Sequence, residues 1–501
     1  MTTLQISELK SQLAEFLPSS VQASTTVNKY LGAFRQIEAV IERFDLDQLE
    51  NPDGRKAVLE MIDADPVLSK NAYHQDGTYS AVLGKVQLML SSTESVPKEI
   101  VPSLILKTHL ASSLLSKPFL ILTGNSGTGK TRSAEDFVMR FRDVEDAKNA
   151  KNVALVAVGA DWTDNRNVVG YVNHLRPITV ASDDERPIYQ STPILDLLLE
   201  ASSSERELVP HFLILDEMNL SHVERYFADF LSAMEARYGA IRLHDEGPRG
   251  KADFRLPRFE GDAVGVPREL PYPKNLFVIG TVNVDETTYM FSPKVLDRAH
   301  VIEFEVDPAE VAAFLDEPKP LEPVPRAPMG EAEAFLQFSL RARGMKEPGL
   351  DALPMAVKRK VNGALIDLLE ILQKGRFEFA FRTAKEVAAY MRVCRELRSK
   401  DGWDEEAWQA DLDDEILQKV LPRLHGSRSR VGPLLGALGW YLHSRDKAGA
   451  MEFFPPLGDE LPKKSVQEII PLKDADFPRS FGKIQRMARV VVEEQFVSFI
   501  C

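Results

Sequence analysis

The sequence is poor in cysteine, in long apolar runs and in net positive charge. Cys394 and Cys501 are the only cysteines among 501 residues, so we expect neither a disulfide framework nor a cysteine-based metal site, and a reducing cytoplasm is the predicted location. No run of about 18 apolar residues occurs, and no membrane-spanning segment is expected. With 61 basic and 75 acidic residues the formal net charge is −14, so any contact with nucleic acid must be local.

The character of the sequence changes several times along the chain. Residues 1–95 have apolar residues at helical spacing and predict a small helical N-terminal module, whose 8 basic and 13 acidic residues give it a net charge of −5. Five prolines close together predict a linker over 306–330, and helical periodicity returns after it. The predicted units are the module 1–95, an α/β domain 96–305, the linker 306–330, a helical domain 331–445 and a C-terminal extension 446–501. Within this extension, the pattern of residues 480–499 predicts a closing amphipathic helix.

Short apolar runs alternate with helix-length segments between about residues 100 and 305. The runs are PFLILTG, NVALVAVGA, HFLILDE and NLFVIGT. This alternation is typical of an α/β fold in which helices cover both faces of a largely parallel sheet, so a three-layer sandwich is predicted.

A complete phosphate-loop motif follows the first of these runs. The motif G-x-x-x-x-G-K-[ST] lies between a predicted strand and a predicted helix, as the motif requires. Backbone N–H groups of such a loop surround phosphate oxygens, Lys130 is placed to reach the β- and γ-phosphates, and Thr131 can bind Mg²⁺. Its residues are Gly124, Asn125, Ser126, Gly127, Thr128, Gly129, Lys130 and Thr131.

Acidic residues end another predicted buried strand, in the segment HFLILDE. Asp216 is the candidate to hold Mg²⁺ through water, and Glu217 is the candidate base that polarises an attacking water. A pair of carboxylates here favours hydrolysis of ATP or GTP over the chemistry of small-molecule kinases. Two solvated acids at a strand end are the plain alternative.

Two polar residues farther along the chain could complete a hydrolytic site. Asn283 follows the apolar run NLFVIGT and either orients the water opposite Glu217 or starts a turn. Arg298 follows a short predicted helix and either reaches the γ-phosphate of a neighbouring subunit or forms a surface pair with Asp297.

The order of these motifs resembles that of AAA+ ATPases. The phosphate loop, LILDEMN, GTVN and SPKVLDR occur in the family order. Their residues are similar to those of the same motifs in the McrB-like branch, the motor of 5-methylcytosine-dependent restriction systems. Further similar segments are DWTD with the later GY, HGSR, and QFVSF at the C-terminal end. The resemblance covers about residues 100–501.

This resemblance implies a hexameric ring with nucleotide bound between subunits. It assigns the sensor-1 role to Asn283, the arginine-finger role to Arg298 and the sensor-2 role to Arg382, at the start of a predicted lid helix. It implies Mg²⁺ and ATP or GTP at the site, a separate McrC-like endonuclease partner, contact with DNA through the assembled complex, and no membrane contact.

Two features leave the function open within this class. McrB-like proteins share an N-T-A-D segment at sensor 1, which is linked to their use of GTP. This chain instead has Asn283-Val284-Asp285, so ATP is slightly favoured over GTP. A MoxR-like chaperone ATPase that remodels a protein partner is the alternative function.

Between Tyr238 and Lys274, short alternating runs around a glycine predict a β-hairpin.

Overall fold

The computed structural model describes most of the chain from residue 109 onward and a few stretches before it. The described residues are 33–37, 40–41, 52–65, 68, 70, 83, 86, 109–144, 150–179, 185–236, 239–247, 254–284, 289, 291–306, 308–316, 324–328, 330–344, 353–398, 405–455 and 462–500.

A parallel sheet forms the centre of the described structure. Its strands pair in the order β11-β1-β10-β5-β2, and every neighbouring pair runs parallel. The first strand along the chain therefore lies inside the sheet, and successive strands are joined by crossovers. The strands are β1 (Phe119–Gly124), β2 (Val153–Ala157), β5 (His211–Asp216), β10 (Leu276–Asn283) and β11 (His300–Glu303).

Side chains of the central strands alternate between two buried layers. In β1, Leu120 and Leu122 belong to one apolar cluster, and Phe119 and Ile121 belong to the other. This alternation follows from the period of two in a strand, and both faces are buried because helices cover each of them. The predicted three-layer α/β sandwich is therefore confirmed.

The first part of the chain contains nine described helices, and several of them connect strands of this sheet. They are α1 (Pro52–Ala64), α2 (His109–Ser116), α3 (Lys130–Met139), α4 (Arg166–Val169), α5 (Pro193–Ala201), α6 (Val223–Tyr226), α7 (Ala228–Glu235), α8 (Pro293–Leu296) and α9 (Pro308–Asp316). Short 3-10 turns occur at 204–206 and 218–220. Of the predicted module 1–95, α1 is described; the other helices predicted there lie largely outside the described residues.

A helical region follows the sheet domain, as the sequence predicts. Its helices are α10 (Glu331–Gly344), α11 (Met355–Gly375), α12 (Phe381–Leu397), α13 (Glu405–Glu415), α14 (Arg428–Ser444), α15 (Lys447–Met451) and α16 (Pro478–Glu494). A π-helical turn, Ile416–Val420, continues α13 and leads into a 3-10 turn, Leu421–Arg423, and a further 3-10 turn spans Val466–Ile469. In the described residues no helix has both the length and the apolar character needed to cross a membrane.

Smaller strands lie outside the central sheet. They are β3 (Tyr171–Thr179) with β4 (Glu185–Gln190), β6 (Ala240–Arg242) with β9 (Glu269–Pro271), β7 (Arg255–Leu256) with β8 (Val266–Pro267), and β12 (His425–Ser427) with β13 (Phe496–Ser498), each pair antiparallel.

The hairpin predicted between 238 and 274 is wrong in its pairing. The runs at 241–244 and 254–256 do not pair with each other; each pairs with a later strand. The turn between β7 and β8 is fixed by the Asp262 carboxylate, which accepts from the backbone N–H groups of Arg258, Val264 and Gly265. A carboxylate that organises a loop in this way has no periodic signature in the sequence.

Two other local predictions differ from the structure. The predicted linker 306–330 contains helix α9, because its dense prolines begin only at Pro318, after that helix has ended. The helix predicted over 480–499 ends at Glu494, where Gln495 adopts a left-handed conformation with φ 64°, and the chain continues as β13. Pairing with β12 outweighs the helical periodicity of this segment.

Gly124 ends β1 at a point where β11 approaches closely. Its φ is 147°, and a Cβ atom there would lie 2.4 Å from the backbone oxygen of Phe304. Gly127 has φ 80° but no atom within 4 Å of such a Cβ. We therefore expect Gly127→Ala to lower the free energy of unfolding by about 1–2 kcal/mol through backbone strain alone, and Gly124→Ala to lower it further. Urea denaturation compares the two, and equal effects would contradict the close approach.

Candidate nucleotide-binding site

The phosphate loop lies between β1 and α3 at the carboxyl edge of the sheet. Asn125, Ser126, Gly127 and Gly129 are exposed, whereas Lys130 is only 4% exposed. The ammonium group donates to the backbone oxygens of Gly124 at 2.8 Å and Asn125 at 2.6 Å, and to Thr128 Oγ1 at 3.3 Å. Helix α3 begins at Lys130, so its N-terminal N–H groups and the lysine charge face the same loop.

The electrostatics of Lys130 reflect its burial. Burial lowers the pKa of the amine below its ordinary value, while Asp216 and Glu217 act in the opposite direction. The lysine thus lies near two carboxylates and is surrounded by loop carbonyls, an environment in which a phosphate would add favourable negative charge.

Asp216 connects the loop to the neighbouring strands. Its Oδ1 accepts from Thr131 Oγ1 and from Thr281 Oγ1, each at 2.6 Å. Thr131 lies at the start of α3, Asp216 at the end of β5 and Thr281 in β10, and parallel register brings the ends of these strands together. The two residues predicted to hold Mg²⁺ are therefore in direct contact.

Glu217 and Asn283, whose roles around an attacking water stay predictions, lie in direct contact. Asn283 Nδ2 donates to Glu217 Oε1 at 2.9 Å, and the Glu217 carboxylate lies at an exposed position. Glu217 has φ 54°, an uncommon left-handed conformation for a residue with a side chain. Its backbone N–H donates to Thr281 Oγ1 at 3.0 Å, which holds the turn that presents the carboxylate.

The two predicted arginines lie together, away from this loop. Arg298 Nη2 contacts Glu235 Oε2 at 2.7 Å, and Arg382 pairs with the other oxygen of Glu235. Arg298 precedes β11 and lines a cavity of about 220 Å³ with Lys117 and Phe119, where β1 begins. Both arginines are therefore at the amino edge of the sheet, roughly 17 Å of strand from the loop that follows Gly124. The structure does not bring Arg382 to the phosphate loop of its own chain.

Different basic residues of the helical region lie beside the loop. On α16, Lys483 Nζ donates to Glu303 Oε1 at 2.5 Å and Arg486 Nη2 contacts Glu303 Oε2 at 3.1 Å. Glu303 is in register with Thr123, which immediately precedes the loop. Arg486 is 44% exposed at its side chain and also pairs with Glu305, so it is a candidate phosphate contact from the helical region.

Several of these residues were not identified from the sequence. Thr281 could have been found, because it precedes Asn283 by two positions in a strand and therefore points to the same face. Lys483 and Arg486 are three positions apart on a helix and so share a side. No sequence pattern marks Glu235, whose two partners come from distant segments.

Fold and site together place this protein among the phosphate-loop α/β proteins. The class follows from the sheet order, with the loop strand β1 between β11 and β10, and from the loop, the acidic pair and the strand-end asparagine at one edge.

Comparisons with known proteins add little beyond this class. Residues 338–496 match a family described as a domain of unknown function (DUF8727), a span that lies within the helical part of the chain. None of the curated proteins matches. The matching solved structures include the crystal structure of "a putative ATPase" from Cytophaga hutchinsonii, with 12% identity and a TM-score of 0.35 over 70% of this chain and 91% of that chain. The two structures are only loosely similar in the path of the backbone.

Thr281 and Thr123 are both buried threonines in neighbouring strands, but only the Thr281 hydroxyl bridges site residues. Thr123 Oγ1 has no hydrogen-bond partner among the described residues. We expect Thr281→Val to lower the free energy of unfolding by about 1–3 kcal/mol, because Asp216 and the Glu217 N–H each lose a buried partner. Thr123→Val should leave it unchanged or raise it, because a buried hydroxyl without a partner is removed. Urea denaturation measures both, and similar losses would argue against the bridge.

Proposed function

We propose that this protein is a Mg²⁺-dependent nucleoside triphosphatase. The observation that supports this most strongly is the Glu217 carboxylate, held by Asn283 beside the contact between Thr131 and Asp216. A protein that only bound nucleotide would need the loop, but it would not need a carboxylate presented in a strained turn next to it.

In the proposed reaction, a water molecule attacks the γ-phosphorus and the bond from that phosphorus to the bridging oxygen of the diphosphate breaks. Glu217 accepts a proton from the water, and Asn283 keeps its carboxylate in place. Lys130 and the N-terminus of α3 stabilise the negative charge on the phosphate oxygens. The products are the nucleoside diphosphate and inorganic phosphate.

The oxygen atoms near the loop suit Mg²⁺. Thr131 supplies a hydroxyl and Asp216 a carboxylate, and Mg²⁺ is commonly held by one or two such ligands together with substrate phosphates and water. Within the described residues no three His, Cys, Asp or Glu side chains gather into a metal site, so nucleotide and metal would bind together. The bound ion would neutralise phosphate charge.

We further propose that the subunits assemble in a ring, a hexamer by analogy with the AAA+ class. Arg298 lies at the sheet edge opposite its own phosphate loop, so it can serve a nucleotide only in another subunit. Arg382, which shares Glu235 with Arg298, fits a role at the same subunit boundary better than the sensor-2 role in its own site. We propose Arg486 for the sensor role instead, because its partner Glu303 is in register with Thr123, which precedes the loop.

The biological role proposed here is that of a motor in an McrBC-like DNA restriction or phage-defence system. ATP or GTP hydrolysis would drive or regulate a separate McrC-like endonuclease, with DNA reached through the assembled complex in the cytoplasm. The support is the order of the sequence motifs, and Asp285, on which the slight preference for ATP rests, lies outside the described residues. Hydrolysis of ATP and GTP measured with and without such a nuclease tests this role.

Substitutions at Lys130 and Glu217 separate binding from hydrolysis. We expect Lys130→Ala to lose nucleotide binding, and Glu217→Gln to bind Mg²⁺ and nucleotide but to hydrolyse it at least about 100-fold more slowly, since general-base catalysis contributes roughly 10²–10⁴-fold. Equilibrium binding of a fluorescent nucleotide and release of phosphate are the two measurements. Full activity of purified Glu217→Gln would refute the proposed base.

Mixed rings test whether Arg298 acts on a neighbour. Lys130→Ala subunits have no working site of their own but keep Arg298, whereas Arg298→Ala subunits keep the site but lack the arginine. Each variant alone should hydrolyse little, and an equimolar mixture should recover turnover because the arginine of one subunit completes the site of the next. A mixture as inactive as its components would contradict the role across subunits.

A further inference from the structure

The segment that carries Arg298 is held from outside its own domain. Lys419, in the π-helical turn of the helical region, donates from Nζ to the backbone oxygens of Asp297 at 2.7 Å and Ala299 at 2.9 Å. These two residues flank Arg298 on either side. Arg423, also from the helical region, contacts Asp297 Oδ1 at 3.1 Å.

The Lys419 ammonium group is buried and has three polar partners. Its side chain is 0% exposed, and its third partner is Glu386 Oε2 on α12, at 2.7 Å. An ammonium group has three donors, and here two of them are directed to the backbone beside Arg298. Burial lowers the pKa of Lys419 to about 8, with Lys117 acting in the same direction and Glu386 against it, so the group is charged at neutral pH.

The cost of burying this charge indicates that Lys419 does more than join the helical region to the sheet domain. Glu386 also pairs with Lys117, which precedes β1, so the helical region and the sheet domain are already joined without Lys419. A buried lysine is expensive unless its hydrogen bonds are all made. Its placement is explained by what it holds, the backbone on both sides of one arginine. Helices with π geometry are rare and often occur at functional sites.

We propose that Lys419 is a positioning residue for Arg298, through which the helical region sets where that arginine meets the nucleotide of a neighbouring subunit. This inference rests on the proposed function, because it requires Arg298 to act across the subunit boundary. It adds that the position of Arg298 depends on the helical region of its own chain.

The test places the same substitution on either side of one subunit boundary. In the mixed rings described above, Lys419→Met is introduced into the Lys130→Ala subunit, which supplies Arg298, or into the Arg298→Ala subunit, which supplies the nucleotide site. In the supplying position we expect kcat to fall by about tenfold or more with KM unchanged, because an ångström of misplacement has effects of this size. In the other position kcat should change by less than about twofold.

A second variant, Glu386→Gln, and the reference mixture make the outcome decisive. Glu386→Gln, which keeps an acceptor but removes the charge opposite Lys419, should show the same asymmetry and decides the case if Lys419→Met does not fold. Equal losses in both positions, or no loss in either, would overturn the inference while leaving the role of Arg298 intact. If the reference mixture without these substitutions recovers no turnover, the proposed role of Arg298 fails, and the inference fails with it.

Discussion

One carboxylate oxygen joins three parts of the candidate site. Oδ1 of Asp216 accepts from the hydroxyl groups of Thr131 and Thr281, so the start of the loop helix is tied to two strands of the sheet. Thr281 in turn accepts the N–H of Glu217, which fixes the left-handed turn and the direction of the carboxylate that Asn283 holds. The candidate base is thus positioned by strands that are buried on both faces, as a preorganised site requires.

The polarity of the sheet then determines what a single subunit can and cannot do. All strands of the central sheet run parallel, so the loop, the acidic pair and the asparagine collect at the carboxyl edge, and Arg298 lies at the amino edge. No rotamer of an arginine spans the length of a strand. A chain built in this way has the candidate site at one edge of the sheet and Arg298, paired with Glu235, at the other. In the proposed ring, the two edges would meet where one subunit lies against the next.

The sequence predicted the parts of the structure that depend on local pattern. The apolar strands follow from the alternation of apolar runs with helix-length segments, and the loop between β1 and α3 follows from a motif. It failed where a single distant contact decides the outcome. Arg382 begins a helix as predicted, but Glu235 draws it to the amino edge, and pairing with β12 turns the end of the last predicted helix into β13. Such contacts join residues far apart in the chain, and periodicity carries no information about them.

The helical region makes ionic contacts with the sheet domain at both edges of the sheet. Beside the loop, Lys483 and Arg486 hold Glu303; at the opposite edge, Lys419 is bound to Glu386 and to the backbone around Arg298. Although burial alone would raise it, Lys419 and Lys117 lower the pKa of Glu386 to about 2, so this carboxylate stays charged at neutral pH. Buried ion pairs resist separation because either partner left alone is costly. A shift of the helical region caused at the loop would therefore also disturb the backbone around Arg298.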